Sequence, residues 1–367
     1  MNESVNKKKK ICFVCPKAYP LFNGSVEGVI GGAEVDLYFL ATELAKDEGY
    51  EISCVVADYG QKDEELIENV RVIKGLDFKT NMIIQAVGLW KICKIVDADI
   101  YFLKTASPGV PLLSMFCSRY GKKFVYRSAS SKEIVGDYKS KIPFFGRFFE
   151  RALKKADLVL VQNQQDRAGL IRRCGIDSVV IANGHRIGKL QQDEGSGVLW
   201  VGRSAKVKGP EVFLELARQN PERKFTMICQ CATGDDKYQD LADAAAGIDN
   251  LDFIEHVPFS GIDKYFSNAG VLINTSVAEG FANVFIQACI YGRPIITLNV
   301  NPDDFLNKYQ CGICCEGDLG KMNEALEEVL GDKHGIYCAN ALTYSRENHD
   351  IVKTVEQYKK CFEKLFG

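Results

Sequence analysis

The chain has 367 residues, 46% hydrophobic and 26% charged, with a formal net charge of −2. That length exceeds a typical single domain and sets a prior of two domains of about 150–200 residues each, while the near-neutral balance leaves no global basic field for nucleic acid. No apolar run of roughly 18 residues occurs, and residues 1–10 carry charge with no apolar core behind them, so neither a transmembrane helix nor a signal peptide is expected and a cytoplasmic protein is.

In chain order, residues 11–15 form an apolar run bounded by lysines and Pro16, which suits a central parallel strand. The following loop ends on Gly31-Gly32, and a helix carries Ala33, Leu37, Leu40, Ala41 and Leu44 at helical spacing. A glycine pair between strand and helix start lets phosphates approach backbone amides at the positive end of the helix dipole, or is only a turn. The residues alone leave both readings open. Strands at 52–57, 100–103, 123–126, 158–161 and 179–181 then alternate with helices at 81–95, 111–120, from about 142 and from about 165. Such alternation predicts a parallel, doubly wound sheet. Asn183-Gly184 turns the chain into His185-Arg186, and residues 189–197, rich in charged and small side chains, are the expected linker.

A second alternating series opens with a strand at 198–201, directly followed by Gly202-Arg203-Ser204-Ala205-Lys206-Val207-Lys208-Gly209. An arginine fork and a lysine point charge on one such loop can clamp two phosphate groups; taken by itself the loop reads more readily as a solvated basic turn. Helices at 210–218 and 237–246, strands at 224–229 and 251–254 and an element at 257–266 follow. The apolar run Val271-Leu272-Ile273 then leads into a loop with Glu279 and Gly280, a helix bearing Gln287, the turn Gly292-Arg293-Pro294 and a strand at Ile295-Ile296. In an open α/β sheet, loops at the carboxyl ends of strands hold the ligand, which makes this a phosphate-facing loop. Residues 301–316 read as irregular, Asp318 caps a helix with Met322, Ala325, Leu326 and Val329, and a last helix at 348–366 carries one apolar stripe.

The 14 cysteines lie mostly inside apolar runs, as Cys12, Cys15 and Cys54 do, and read as buried thiols of a reducing compartment rather than as zinc ligands. The helix from 142 places Phe145, Phe149, Ala152 and Leu153 on one face and Phe144 and Phe148 on its flank beside Arg151 and Lys155. Aromatics among cations can dock on anionic headgroups, and a core helix with snorkelling cations reads the same way.

The spacing from Glu279-Gly280-Phe281 to Gln287, with Gly292-Arg293-Pro294 behind it, resembles the Glu-x7-Glu signature of retaining GT-B glycosyltransferases of the family-four type. Gly31-Gly32 and the Arg203 to Lys208 loop stand at family-like intervals. The resemblance implies two Rossmann-like domains facing a central cleft: residues 1–188 for the acceptor, 189–347 for the donor, and 348–367 as a helix packing back on the first domain. It implies a metal-independent retaining transferase using a nucleotide-diphosphate sugar, UDP- or GDP-linked, with a glycan or lipid-linked acceptor in cell-surface polysaccharide synthesis at the inner membrane face, and no cofactor. Arg203 and Lys208 would hold the diphosphate, Glu279 a donor-sugar hydroxyl and Gln287 the ribose. Gly31, Gly32, Gly280, Phe281, Ala282, Asn283 and Val284 would line the donor, and Arg127, Ser128 and His185 the acceptor side. Two departures stand out: glutamine replaces the second glutamate, and the family's first-domain histidine has no counterpart in Tyr126-Arg127-Ser128-Ala129-Ser130. A GT-B subunit that binds sugar nucleotide or glycan without catalysis, and a sugar-nucleotide epimerase, are the alternatives.

Overall fold

A computed structural model describes residues 8–28, 30–136, 145–188, 195–232 and 234–366. The chain divides into two compact units, one of residues 1–186 with 351–367 and one of residues 187–350.

The first unit runs β1 (Lys9–Val14), α1 (Tyr19–Phe22), α2 (Gly32–Leu44), β2 (Tyr50–Ala57), β3 (Glu64–Ile67), β4 (Val70–Leu76), α3 (Met82–Val96), β5 (Ile100–Lys104), α4 (Gly109–Tyr120), β6 (Lys123–Arg127), α5 (Ser131–Val135), α6 (Phe145–Lys155), β7 (Leu158–Val161), α7 (Gln164–Cys174) and β8 (Val179–Val180). Its eight-stranded sheet has the order β3-β4-β2-β1-β5-β6-β7-β8 and is parallel except for the edge hairpin of β3 on β4. The central strands are apolar on both faces because helices cover both. Cys12, Val14, Tyr101 and Leu103 pack in one cluster with Phe116, Phe124 and Phe149 of the helices and strands beyond them. On the opposite face Phe13 meets Phe102 at 5.2 Å between ring centroids.

The second unit runs β9 (Gly197–Arg203), α8 (Pro210–Gln219), β10 (Phe225–Gln230), α9 (Tyr238–Ala246), β11 (Leu251–Ile254), α10 (Asp263–Asn268), β12 (Ala269–Asn274), α11 (Asn283–Ile290), β13 (Ile295–Thr297), α12 (Phe305–Tyr309), β14 (Gly312–Cys314), α13 (Leu319–Leu330) and α14 (His334–Asn348). Its sheet, in the order β11-β10-β9-β12-β13-β14, is parallel throughout. Alternate residues again feed two cores: Val198, Trp200 and Met227 on one face, Leu199, Ile228 and Leu272 on the other.

The chain then returns to the first unit as α15 (Ile351–Phe366). Its stripe of Ile351, Val355, Tyr358 and Phe362 is buried, Phe362 meeting Phe102 edge-on at 6.4 Å. Lys359 pairs with Asp47 at 2.7 Å, and the buried Arg127 guanidinium sits 5.6 Å from the Tyr358 ring centroid.

Three features depart from the expectations. The β3/β4 hairpin turns through Glu68 and Asn69, both in the left-handed region at φ 47° and 62°, as a two-residue hairpin turn demands. Residues 301–316 are not wholly irregular but contain α12 and β14; a three-residue strand is too short to show a period. α14 is a further helix, whose buried Ala341, Leu342, Tyr344 and Ser345 include few aliphatics and so present no apolar stripe. In α6, Phe149, Ala152 and Leu153 are buried and Phe148, Arg151 and Lys155 exposed, while Phe144 and linker residues 189–194 lie outside the described residues. All fourteen cysteines are free, and burial pushes the Cys54 thiol up to about 12.

One buried ion pair joins helix to sheet in the first unit: Asp36 of α2 and Lys104 at the end of β5. Burial pulls the Lys104 ammonium below the ordinary lysine range, and the Asp36 carboxylate opposes that. Taking away one partner leaves the other charge buried and uncompensated. Lys104→Ala is therefore expected to cost about 3–5 kcal/mol, and Lys104→Met/Asp36→Leu to recover most of that loss. Urea titrations check it; equal stability of the single and double variants contradicts it.

Candidate active site

In the second sheet the chain leaves β9 towards β10 and β11 on one side, then crosses back to β12 on the other. The loops after β9 and β12 consequently diverge from adjacent strands, and the carboxyl end of that pair is the place where an open α/β sheet leaves a crevice for a ligand. Lys208 lies in the first of these loops and Glu279 in the second, and their side chains form an ion pair. The pair is partly buried, with side-chain exposures of 23% and 15%.

Neighbouring bonds fix the two loops to each other. Thr275 Oγ1 donates to the Lys208 carbonyl at 2.7 Å and accepts from Trp200 Nε1 at 2.9 Å. Val277 N–H donates to the Val207 carbonyl at 2.9 Å. Ser276 Oγ donates to Glu279 Oε1 at 2.8 Å and is itself met by Asn274 Nδ2 at 3.2 Å. Gly209 closes the first loop at φ 57°, a torsion that favours glycine, and a β-carbon there would come 2.7 Å from the Thr275 carbonyl oxygen. The loop is thus drawn so close to its neighbour that only a hydrogen fits.

Arg203 ends β9 with its side chain exposed, and no hydrogen bond or ion pair holds it among the described residues. Gly280 leads from Glu279 to α11, whose N-cap is Ala282 and whose first two positions are Asn283 and Val284. That start carries the positive end of the α11 dipole. Phe281 is an anchor: its ring lies 4.9 Å from His349, 5.2 Å from Phe305 and 5.8 Å from Phe285. Gln287, one turn further on, is 7% exposed, and no described residue takes up its amide in a hydrogen bond.

In the first unit the strand order turns back between β1 and β5 in the same manner, so the Gly31-Gly32 loop after β1 and Lys104 at the end of β5 share one edge. Gly31 caps α2 in ordinary extended backbone, φ −112° and ψ 173°, so torsion does not require glycine there. Its N–H donates to Glu34 Oε2 at 2.9 Å, which places a carboxylate where the sequence suggests a phosphate.

Arg127 and Ser128 are fully buried and reach no open surface. Arg127 Nη2 donates to the Ile181 carbonyl at 2.9 Å and to Asn183 Oδ1 at 2.6 Å, tying β6 to the loop after β8. His185 packs edge-on to Phe39 at 4.5 Å, and its carbonyl accepts the Ile351 N–H that opens α15. Of the three residues expected on the acceptor side, two therefore sit inside the fold and one at a helix joint.

Two groups at this edge escaped the sequence reading. One is the Asp36 and Lys104 pair. The other is Glu133, whose carboxylate accepts from Tyr126 Oη at 2.6 Å and from the Ala129 and Ala106 N–H groups at 3.0 and 3.1 Å, and which burial nonetheless pushes above the usual carboxylate range. The available signal was a charge at the end of an apolar run, in Ile-Tyr-Phe-Leu-Lys104, and inside one, in Val35-Asp36-Leu37.

Comparison with known proteins gives a consistent family. A model described as Glycosyltransferase Family 4 matches residues 30–187, and one described as Glycosyl transferases group 1 matches residues 195–332. An "Uncharacterized glycosyltransferase" of Haemophilus influenzae is 22% identical over 180 residues, which are 47% of this chain and 50% of that protein, so the match spans about half the length of this curated relative. Sucrose-phosphate synthase from Thermosynechococcus elongatus superposes with a TM-score of 0.78 at 16% identity, covering 98% of this chain and 99% of the other. Anabaena Alr3699/HepE in complex with UDP superposes with a TM-score of 0.70 at 15% identity, covering 97% and 100%. With one family model on each of its two Rossmann-like units, matching most of the sequence between them, the chain belongs to the glycosyltransferases of GT-B fold.

Proposed function

We propose that this protein transfers a sugar from a UDP- or GDP-linked donor to a glycan or lipid-linked acceptor, with retention of configuration and without a metal ion, in the synthesis of cell-surface polysaccharide. The observation that carries the reading is the Lys208 and Glu279 pair, fixed by Thr275 and Ser276 at the carboxyl ends of β9 and β12. Arg203, exposed at the end of β9, and the start of α11 add positive charge on the same edge. The neighbour from Anabaena, bound to UDP, supports a uridine nucleotide as the donor's carrier.

In this reading the diphosphate lies against Arg203, Lys208 and the α11 amides, Glu279 accepts a hydroxyl of the donor sugar, and Gln287 meets the ribose. The acceptor is held by the first unit. The acceptor hydroxyl attacks the anomeric carbon on the face from which the phosphate departs: a carbon–oxygen bond to the acceptor forms, the bond to phosphate breaks with its electron pair, and a leaving phosphate oxygen takes the acceptor proton. Charge accumulates on the departing diphosphate, so cations held in place beforehand lower the barrier without reorganising. Glu279 also offsets some of the Lys208 charge before the donor arrives, and a hydroxyl that engages Glu279 frees Lys208 for the phosphate. A lipid-linked acceptor would bring the protein to the inner membrane face, where the exposed Phe148, Arg151 and Lys155 of α6 could meet headgroups.

Glu279→Ala and Arg203→Ala are each expected to lower transfer about a hundredfold or more with circular dichroism and melting temperature unchanged. Turnover near wild type in both variants would sink the mechanism. A panel of sugar nucleotides, assayed for hydrolysis and for transfer, separates this reading from a subunit that binds without catalysis. Gln287→Glu is expected to keep activity and tighten donor binding about fivefold, because a carboxylate makes a charge-assisted bond to ribose where an amide makes a neutral one. Titration calorimetry reads this out; a dead or unchanged variant means that Gln287 does not face the ribose. Gly209→Ala is expected to weaken donor binding by pushing the two loops apart, with a loss of about 1–3 kcal/mol in stability. Unchanged affinity and stability would show that the loop has room to shift.

A further inference from the structure

At the reversal of the first sheet, one residue stands in a conformation that its side chain disfavours. Among the described residues, eight other than glycine have positive φ; seven are aspartate, asparagine, glutamate or glutamine, and the eighth is Thr105, at φ 82°. Asparagine and aspartate tolerate the left-handed region, whereas a β-branched side chain there crowds its own backbone. Glycine would fit without strain.

The surroundings impose this conformation from two sides. Thr105 N–H donates to the Arg127 carbonyl at 3.1 Å, carrying the β5/β6 ladder one step past Lys104. The next N–H, that of Ala106, donates to Glu133 Oε1 at 3.1 Å. Glu133 is 8% exposed, and its other oxygen takes the Ala129 N–H at 3.0 Å and the Tyr126 hydroxyl at 2.6 Å. A single buried carboxylate therefore pins the loops after β5 and β6 together.

Strained residues that their surroundings over-determine collect at ligand sites, and the position of Thr105 suits one. It directly follows β5, where the strand order turns back from β1 and an open α/β sheet leaves a crevice. Thr105 and Ser107 are half-buried, and no described residue takes up either hydroxyl in a hydrogen bond. On the other side of the reversal Glu34 lies at the start of α2. Burial and the neighbouring Cys54 push the thiol of Cys15, just past β1, upward; Glu34 and Asp36 add to the rise and Lys104 opposes it, so both loops lie within electrostatic reach of that sulfur. Hydroxyls and a carboxylate are partners for the hydroxyls of a sugar.

We propose that Thr105 is a contact residue for the acceptor sugar, its hydroxyl bonded to a hydroxyl of that sugar, and that Glu133 is the positioning residue that holds it there. Thr105 then takes the acceptor-side role from which burial removes Arg127 and Ser128. The inference rests on the transfer reading and adds a residue to it.

The test uses the full chain, a donor that the wild type turns over, and p-nitrophenyl glycosides of glucose, galactose and mannose as acceptor probes. Thr105→Gly is expected to raise the melting temperature by about 2–4 °C, because strain is relieved, and at the same time to raise the acceptor KM about tenfold or more. Thr105→Val keeps the shape and loses the hydroxyl; the same rise in acceptor KM is expected with donor KM held, and Thr105→Ser is expected to stay within about threefold of wild type. Glu133→Gln is expected to lower acceptor kcat/KM about fivefold in the wild-type background and to add nothing in Thr105→Gly, because it acts through that loop. An acceptor KM unmoved in Thr105→Gly and Thr105→Val overturns this inference alone, as does a wild type that turns over its donor but neither glycosylates these probes nor binds them in saturation-transfer NMR. A wild type inert towards every sugar nucleotide overturns the transfer reading and this inference with it.

Discussion

The strand order of a parallel sheet is the constraint on which the rest depends. Parallel strands need crossover helices, and a sheet that grows first one way and then the other must separate a pair of neighbouring loops at its carboxyl edge. In the second unit that separation falls between β9 and β12. Lys208 and Glu279 are far apart in sequence, and only this reversal brings them into an ion pair. The polar network around them follows from burial. Trp200 fills one core face with its indole N–H turned to Thr275, whose hydroxyl passes the bond on to the Lys208 carbonyl. A buried donor that found no acceptor would cost about 1–3 kcal/mol, so the core and the site are satisfied by the same groups.

The first unit applies the same topology to a different end. The carboxyl edge of its sheet holds charges that are buried rather than presented: the Asp36 and Lys104 pair at the reversal between β1 and β5, and Arg127 under Tyr358 at the end of β6. Arg127 joins β6, the loop after β8 and α15, so one side chain connects the sheet, the exit of the unit and the helix that returns to it. Buried cations of this kind are poor evidence for stability by themselves, since desolvation offsets much of the attraction, but each fixes its neighbours in one arrangement.

The two units differ in how solvent meets their charged groups. The second unit keeps Arg203 in water and Lys208 and Glu279 half shielded, a setting in which a phosphate can still reach them and in which their fields are less screened than at an open surface. The first unit buries Asp36, Lys104 and Arg127 within its fold.

The sequence by itself determined the fold class, the placement of most helices and strands, and the loops of interest, because long apolar runs bounded by glycine and proline encode parallel strands and their turns locally. The Gly202 to Gly209 and Glu279 to Gln287 stretches were legible as loops at strand ends for the same reason. It did not disclose β14 or α14, whose burial is supplied by neighbours rather than by an apolar stripe, nor the β3/β4 hairpin, an edge element with exposed Glu64 and Leu66. Only the tertiary structure decided which charges face outward. Arg127 and Arg203 both follow apolar runs at the ends of parallel strands, yet one is sealed beneath Tyr358 and the other lies in solvent. That difference depends on what packs over the strand end, and α15, more than two hundred residues further along the chain from Arg127, is not written into the strand that it covers.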